Sequence, residues 1–182
     1  MKSAAAFLII LIAVVAAGQW TVSQRKSSVS RPIAGGELHR VAYVYDGDTI
    51  KLDTGERVRL IGIDTPESHD NPKLSRDIER RHSSRKAQLA MGKKAAEFTR
   101  SLLQGQEVRL EFDVERLDRY QRSLAYVYLA DGTFVNEVII RQGYAYPLTI
   151  PPNVRHADQF KEWFDEAREQ NRGLWGASPS TP

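Results

Sequence analysis

Carboxylates stand at both ends of the stretch 46–67. Asp46 and Asp48 open it, and Asp64 and Glu67 close it. Between them lie two short β-type runs joined by a turn-forming Asp-Thr-Gly-Glu segment, a pattern that predicts a β-hairpin with its acidic ends together. Paired carboxylates near one point suit a hard cation such as calcium, which takes oxygen ligands and tolerates irregular geometry.

Arg59 lies on the second strand of the same hairpin. A guanidinium beside a bound cation makes a site for a phosphate group, because both neutralise oxyanion charge and arginine can bind two oxygens at once. Arg59 and Asp64 are five residues apart, which on an unbroken strand would place them on opposite faces. We therefore predict a break in the alternation, either a bulge at Gly62 or a strand end before Asp64.

The composition bounds the class of protein and the kinds of site it can hold. The 182 residues are 41% hydrophobic and 27% charged, which fits one globular domain with an extra segment. The absence of cysteine excludes disulfides, zinc-thiolate sites, iron-sulfur clusters and thiol nucleophiles. The net charge of +3 permits a polyanionic partner, but it is equally typical of a soluble domain that happens to be basic.

An apolar run opens the chain. Residues 4–17 carry no charge and follow Lys2, and small residues then give way to polar ones. We interpret residues 1–18 as an export signal peptide cleaved near Ala17, or as an N-terminal membrane anchor if the apolar run extends to Val22. Both interpretations predict a protein outside the cytoplasm, either secreted or periplasmic, or held at a membrane.

The rest of the chain divides by composition. Residues 19–37 are rich in serine, glycine and basic residues and are predicted to be a linker. Residues 38–176 hold the periodic segments and form the predicted domain. Residues 177–182 are predicted to be a disordered tail.

Hydrophobic periodicity predicts the elements of this domain. The predicted strands are 38–45, 49–52, 58–63, 107–112 and 123–129, and the predicted helices are 87–103, a short helix from 136, and 156–171. One helix after the third strand and two after the fifth predict an α+β, mainly β fold: a five-stranded OB-fold barrel with three helices. Four tyrosines alternate within these strands and are interpreted as barrel packing rather than base stacking: Tyr43, Tyr45, Tyr126 and Tyr128.

The segment 68–86 interrupts the pattern with a run of charge. One interpretation is a long exposed loop that holds a polyanion through its six basic residues, since phosphate contacts dominate affinity for nucleic acids. The alternative is a solvated charge run that is partly helical. The six residues are Lys73, Arg76, Arg80, Arg81, Arg85 and Lys86.

Four sequence blocks stand out between residues 38 and 175. They are Asp-Gly-Asp-Thr at 46–49, Arg-Leu-Ile-Gly-Ile-Asp-Thr-Pro-Glu at 59–67, Asp-Arg-Tyr-Gln-Arg-Ser-Leu-Ala-Tyr at 118–126, and Val-Asn-Glu at 135–137 with Arg-Gln-Gly at 141–143. With these blocks the chain resembles the staphylococcal nuclease (thermonuclease) family. The resemblance implies a five-stranded OB-fold barrel with three helices, a calcium cofactor, and hydrolysis of phosphodiester bonds in DNA and RNA that leaves 3′-phosphates.

The resemblance also implies which residues would hold the metal. The direct calcium ligands would be the carboxylates of Asp48 and Asp64 and the backbone carbonyl of Thr65. Asp46 would lie behind these ligands and support them.

The remaining implied roles concern the substrate. Arg59 and Arg122 would hold the scissile phosphate, and Glu67 would activate or position the attacking water. Arg119 and Tyr120 would help to seat a terminal phosphate or the nucleotide backbone. A cation and two guanidiniums suit this reaction, because they stabilise the charge that is added in a five-coordinate transition state.

Two departures from the family pattern are visible. Gln121 precedes the second arginine at a position that is commonly glycine, in a turn that can require a positive φ. Leu148 and Ile150 occupy positions where the best-known member of the family has aromatic residues beside the substrate.

Besides a membrane-tethered interaction domain that uses the barrel for protein contacts, two functions from different classes follow from the sequence. The first is an exported, calcium-dependent nuclease that acts on DNA or RNA as a monomer. The alternative is a non-catalytic nucleic-acid-binding OB-fold domain, exported or membrane-anchored. The presence of all three candidate catalytic residues, Arg59, Glu67 and Arg122, favours the enzyme.

Overall fold

A computed structural model of the chain describes residues 36–176, without the side chains of Arg80 and Arg81. The predicted leader 1–18, nearly all of the predicted linker 19–37 and the predicted tail 177–182 lie outside the described residues. Within residues 36–176, no helix combines the length and the apolar character needed to cross a membrane.

Five strands close into a barrel. They are β1 (Leu38–Asp46), β2 (Thr49–Leu52), β3 (Arg57–Leu60), β5 (Glu107–Leu117) and β6 (Ser123–Leu129), and they pair in the order β1-β2-β3-β6-β5 with β5 closing on β1. The β3–β6 pairing is parallel and the others are antiparallel. A separate two-stranded sheet pairs β4 (Ile63–Asp64) with β7 (Tyr146–Pro147).

The alternation of the strand residues divides the barrel interior from its outer face. Ile50 and Val58 pair across β2 and β3, and both are fully buried in the core. Burying each such side chain contributes about 1.5–3 kcal/mol to folding. Their neighbours Thr49, Lys51 and Arg59 lie on the opposite, outer side, because successive strand residues point to opposite faces.

Four helices surround the barrel in the described part of the chain. They are α1 (Pro72–Arg81), α2 (Arg85–Leu103), α3 (Val135–Arg141) and α4 (Ala157–Glu169), followed by a 3-10 turn at Gly173–Trp175. The predicted α+β, mainly β class and the five-stranded OB-fold-like barrel are confirmed. The predicted number of three helices was one too low.

The additional helix is α1, which lies inside the segment 68–86. The loop interpretation of this segment was wrong for residues 72–81, and the partly helical alternative describes it better. The side chain of Asn71 accepts hydrogen bonds from the backbone amides of Lys73 and Leu74, both at 2.9 Å, and Pro72 occupies the first helical position. Such an Asn-Pro start satisfies the free amides of a helix N-terminus. Fully buried Leu74 then fixes the helix to the domain.

The predicted break before Asp64 is present. Strand β3 ends at Leu60, and Gly62 adopts a φ of 82°, so Asp64 belongs to the separate strand β4. A Cβ atom on Gly62 would lie 1.9 Å from the ring of Phe160 in α4. Fully buried Asn136 of α3 holds the same turn, because its Nδ2 donates to the carbonyl of Ile61 at 2.8 Å. The break thus depends on a positive φ, a close packing contact and a buried hydrogen bond.

Candidate active site

The two acidic ends of the β2–β3 stretch meet at one point. Asp48 Oδ2 accepts hydrogen bonds from the backbone amide of Thr65 at 2.9 Å and from its hydroxyl at 3.1 Å. Gly47 permits this approach, because a Cβ atom there would lie 2.6 Å from Thr65 Cγ2. Asp46 supports the turn from behind by accepting a hydrogen bond from the amide of Asp48 at 3.3 Å. The hairpin therefore brings together the residues predicted to form a cation site.

Arg59 bridges the two acidic ends. Its guanidinium forms an ion pair with Asp48, and Nη2 lies 3.2 Å from Asp64 Oδ1. Burial lowers the pKa of Arg59 from its ordinary value, while the negative charge of Asp64 acts in the opposite direction. With its charge largely shielded from water, Arg59 is placed for strong interaction with an anion.

Lys73 places a cation among the oxygen atoms of this site. Its Nζ lies 2.9 Å from Asp64 Oδ1, 3.1 Å from the carbonyl oxygen of Thr65 and 2.6 Å from Glu67 Oε1. Glu67 is held from its other side by Asn71 Nδ2, at 2.5 Å from Oε2. Three oxygens from three residues thus converge on one positive charge.

The oxygen atoms around Lys73 Nζ are of the kinds that calcium, the predicted metal, takes as ligands. Within residues 36–176, no three Asp, Glu, His or Cys side chains form a metal-binding cluster. The oxygens around Lys73 Nζ include the backbone carbonyl of Thr65, and backbone carbonyls are, with carboxylates, among the ligands that calcium takes in proteins. The residues present therefore fit a hard, oxygen-binding cation, and they do not fit a zinc site of histidine and cysteine.

A tight turn on the other side of the site presents Arg122. Asp118 Oδ2 lies 2.7 Å from both Nε and Nη2 of Arg122, and Arg122 Nη1 lies 3.5 Å from Thr49 Oγ1 on β2. Partial burial acts to raise the pKa of Asp118, but hydrogen bonds from Arg122 and Tyr120 outweigh it and lower that pKa. Gln121 has a φ of 60°, so the turn does require the left-handed conformation that glycine adopts most easily.

Arg119 and Tyr120 lie at the rim of the same turn. Tyr120 is 62% exposed, and the guanidiniums of Arg119 and Arg122 lie 4.8 Å and 5.5 Å from the centre of its ring. The hydroxyl of Tyr120 also accepts a hydrogen bond from Arg119 at 2.7 Å. These contacts make the turn an exposed aromatic surface flanked by positive charge, which suits a nucleotide.

A cavity of about 780 Å³ begins at Arg59 and Arg122, a size common for small-molecule sites. Aliphatic side chains of Leu124, Leu148 and Ile150 line it. The two departures Leu148 and Ile150 thus lie in the wall of this cavity and make that part of it aliphatic.

Some residues of the site were missed or given a different role by sequence reasoning. Lys73 was predicted to hold a polyanion, but it contacts carboxylates instead. Asn71 was not identified, although an Asn-Pro pair before charged residues is a recognisable helix start. Gly92 of α2 was also missed, although a glycine inside a helical pattern often has a packing reason. A Cβ atom on Gly92 would lie 2.0 Å from the carbonyl oxygen of Glu67.

Comparison with known proteins agrees with this geometry. The family model described as "Staphylococcal nuclease homologue" matches residues 57–177. A thermonuclease of Staphylococcus intermedius is 38% identical over 143 residues, which cover 77% of this chain and 77% of the relative. A thermonuclease of Staphylococcus hyicus is 32% identical over 181 residues, which cover 96% of this chain and 99% of the relative. Endonuclease YhcR of Bacillus subtilis is 30% identical over 152 residues, which cover 79% of this chain and 12% of that protein.

The family match covers most of the described domain, and the two thermonucleases match most of their own length. The matched region includes Arg59, Glu67 and Arg122, and both Glu67 and Arg122 lie close enough to Arg59 to affect its pKa. The resemblance suggested by the sequence blocks is therefore confirmed, and a catalytic domain agrees with it better than a non-catalytic one. The chain belongs to the staphylococcal nuclease family and is a nuclease, a hydrolase of phosphodiester bonds.

Proposed function

We propose that this nuclease requires calcium, cleaves DNA or RNA, and leaves 3′-phosphate ends. The observation that carries the proposal is the convergence of oxygens from Asp64, Thr65 and Glu67 on the single positive charge of Lys73 Nζ. Two guanidiniums lie beside this point, which is the arrangement that a phosphodiester needs for charge stabilisation.

The carboxylates of Asp48 and Asp64 and the carbonyl of Thr65 would hold the metal. When bound there, calcium would supply a positive charge that polarises the phosphate and stabilises the added charge of the transition state. Asp46 would keep Asp48 in position through the amide hydrogen bond of the turn.

Arg59 and Arg122 would bind the non-bridging oxygens of the scissile phosphate. Each guanidinium is held by carboxylates in the structure, Arg59 by Asp48 and Asp64 and Arg122 by Asp118. A phosphate that replaces part of these contacts meets two donors that are already oriented. Loss of one such donor typically costs about a hundredfold or more in rate.

Glu67 would orient the attacking water and accept its proton. The water oxygen forms a bond to phosphorus, the bond from phosphorus to the 5′-oxygen breaks, and the phosphate stays on the 3′-oxygen of the other product. The 5′-oxygen leaves with a proton taken from solvent. Asn71 and Lys73 contact the carboxylate of Glu67, so they set its orientation.

The predicted location is part of the proposal. The apolar segment 4–17 at the start of the chain supports export, with the leader either removed or kept as a membrane tether. We expect the exported protein to act as a monomer.

A calcium titration of cleavage tests the proposed function. The substrates are single-stranded DNA, double-stranded DNA and RNA, and the matched proteins are the wild type and Glu67→Gln. We expect calcium-dependent cleavage by the wild type, a rate at least about a hundredfold lower for Glu67→Gln, and 3′-phosphates on the products. Cleavage that is unaffected by a calcium chelator, or products with 5′-phosphates, would contradict the proposal.

A further inference from the structure

The outer face of strands β1, β2 and β3 carries a group of aromatic and basic side chains next to Arg59. Tyr43 pairs with Lys51 across β1 and β2, and Lys51 pairs with Arg57 across β2 and β3. Tyr45 completes the group, because the guanidinium of Arg57 lies 5.0 Å from the centre of its ring. We call these four residues the basic-aromatic face.

This face is continuous with the candidate active site. Thr49 pairs with Arg59 across β2 and β3, and the next pair on the same side of the sheet is Lys51 with Arg57. Two residues along a strand span about 6.8 Å, so Arg57 lies one step from the arginine that would hold the scissile phosphate. The cavity lies on the other side of Arg59, where Leu124 of β6 is its neighbour. Arg59 therefore stands between the cavity and the basic-aromatic face.

The two cations of the face differ from three cations of the candidate active site. Arg59, Lys73 and Arg122 are all paired with carboxylates. Among residues 36–176, no carboxylate lies within ion-pair distance of Lys51 or Arg57. Like charges directly opposite each other in a sheet destabilise it. An anion bound between Lys51 and Arg57 would neutralise this repulsion, so the pair suits an anionic partner.

The tyrosines of the face offer aromatic rings on which bases can stack, which charged side chains alone do not provide. Tyr43 is 49% exposed, although alternation along β1 predicted that it would pack against the barrel; Tyr126 and Tyr128 are buried as predicted. The rings of Tyr43 and Tyr45 make an edge contact with centroids 5.1 Å apart. Exposed rings beside cations are how proteins hold single-stranded nucleic acids, because bases stack on the rings while phosphates contact the cations.

We propose that the basic-aromatic face binds the single-stranded part of the substrate that continues beyond the scissile phosphate, on the side away from the cavity. Lys51 and Arg57 contact the next phosphate along the strand, and Tyr43 stacks on a base. This inference rests on the proposed function, since the same strand occupies both places.

Substrate length separates the face from the active site. A dinucleotide contains only the scissile phosphate, whereas a single-stranded DNA of about 20 nucleotides exceeds the 4–16 nucleotides that an OB-fold covers. The test compares the wild type with the double variant Lys51→Gln, Arg57→Gln. The control is Lys161→Gln, Arg168→Gln, which removes the same charge from exposed positions on α4.

For the long DNA we expect the double variant to raise KM about tenfold and to leave kcat nearly unchanged. The slope of log KM against log salt should fall by about 0.7, because both cations contact one phosphate and each phosphate neutralised on a single strand contributes about 0.7. Both constants for the dinucleotide should remain at the wild-type value, and the control should match the wild type on both substrates. Tyr43→Ala should raise KM for the long DNA by about fivefold or more, and Tyr43→Phe should not.

The outcomes distinguish this inference from the proposed function. A wild-type protein that cleaves neither substrate contradicts the proposed function. A wild type that cleaves both, with KM and salt slope for the long DNA unchanged in the double variant, overturns the inference alone. An equal rise of KM for dinucleotide and long DNA also overturns it, because the substitutions would then act on the active site itself.

Discussion

At the scale of single residues, the site depends on carboxylates that hold arginines in place. Asp118 is the clearest example, because its two oxygens accept bonds from the backbone and the side chain of Arg122 and from the amide of Tyr120. These bonds hold the backbone and the guanidinium of Arg122 in one position. The turn that presents Arg122 requires a left-handed backbone conformation at Gln121.

We predict that Asp118→Asn lowers kcat by about 10- to 100-fold, the order of loss caused by a misplaced group. It should also change the dependence of stability on pH. The pKa of Asp118 is lowered from its ordinary value of 3.8, so the stability that the ionised carboxylate contributes to the fold is fully present above pH 3.8. It is lost as the pH falls through the lowered pKa of the folded state.

The measurement is the melting temperature of wild type and Asp118→Asn from neutral pH downward. The difference between them should stay constant until the pH approaches 3.8 and should then shrink. Asp165→Asn, which removes a carboxylate that pairs with Lys161 on α4, is the control and should leave kcat unchanged. If the difference in melting temperature between wild type and Asp118→Asn instead grew as the pH fell, Asp118 would not stabilise the fold as a carboxylate.

At the scale of elements, α1 and α2 both act on Glu67. Helix α1 supplies Lys73 to its carboxylate, and α2 packs so closely that Gly92 meets the backbone of Glu67. Neither helix contributes a residue with a proposed catalytic role. Both set the position of the acidic end of the hairpin.

Lys73→Met should raise the affinity for calcium. Lys73 Nζ contacts the same oxygens of Asp64 and Thr65 that would bind the metal, so the ammonium must move away when calcium binds. Removal of this competing charge should strengthen binding about tenfold, the equivalent of about 1.4 kcal/mol. Isothermal titration calorimetry measures this without reference to activity.

The matched control is Lys86→Met, which removes the same charge from an exposed position in the first turn of α2. It should leave calcium affinity unchanged within about twofold, because an exposed charge away from the oxygens is screened by solvent. Equal or weaker binding by Lys73→Met would show that the lysine supports the metal site instead of competing for it.

Gly92→Ala should destabilise the protein, against the usual effect of this change in a helix. At an open helical position, replacing glycine with alanine stabilises by about 1 kcal/mol. Here the new Cβ would lie 2.0 Å from the carbonyl oxygen of Glu67 and 2.6 Å from the amide nitrogen of Ser68. Helix and loop must separate, so we expect a loss of about 1–3 kcal/mol and a lower kcat.

Urea unfolding gives the stability of Gly92→Ala, and cleavage of a dinucleotide gives its kcat. Ala90→Gly, at an exposed position of the same helix, is the control. It should lose about 1 kcal/mol from helix propensity alone and keep the wild-type kcat. Stabilisation by Gly92→Ala would show that the contact with Glu67 is not tight.

At the scale of the whole molecule, the proposed metal site joins segments from distant parts of the chain. The hairpin, the turn at Asp118 and helix α1 all meet around Asp48 and Asp64. A cation bound there should therefore stabilise the fold as a whole, because the unfolded chain has no such site.

We expect calcium at about 100 times its Kd to add about 2.7 kcal/mol to the free energy of unfolding. The melting temperature should rise with calcium concentration in the wild type and in Glu67→Gln. It should not rise in Asp64→Asn, which lacks a proposed ligand, whereas Asp165→Asn on α4 should behave as the wild type. An equal rise in Asp64→Asn would place the metal elsewhere.

The sequence by itself determined the local parts of this protein. The alternation around Ile50 and Val58 and the turn between them predicted the hairpin, and the odd spacing of Arg59 and Asp64 predicted the break at Gly62. These features depend on residues that are neighbours along the chain, so hydrophobic periodicity and turn-forming residues are enough to predict them.

Only the tertiary structure decided what meets across the fold. Arg122 reaches Thr49 because β3 and β6 pair in parallel, with Arg59 beside Leu124, and no local pattern specifies that register. Tyr43 is exposed because helices and strands cover one side of β1 and leave its outer face open. Such contacts depend on how the whole core packs, which is why distant residues complete a site that the hairpin only begins.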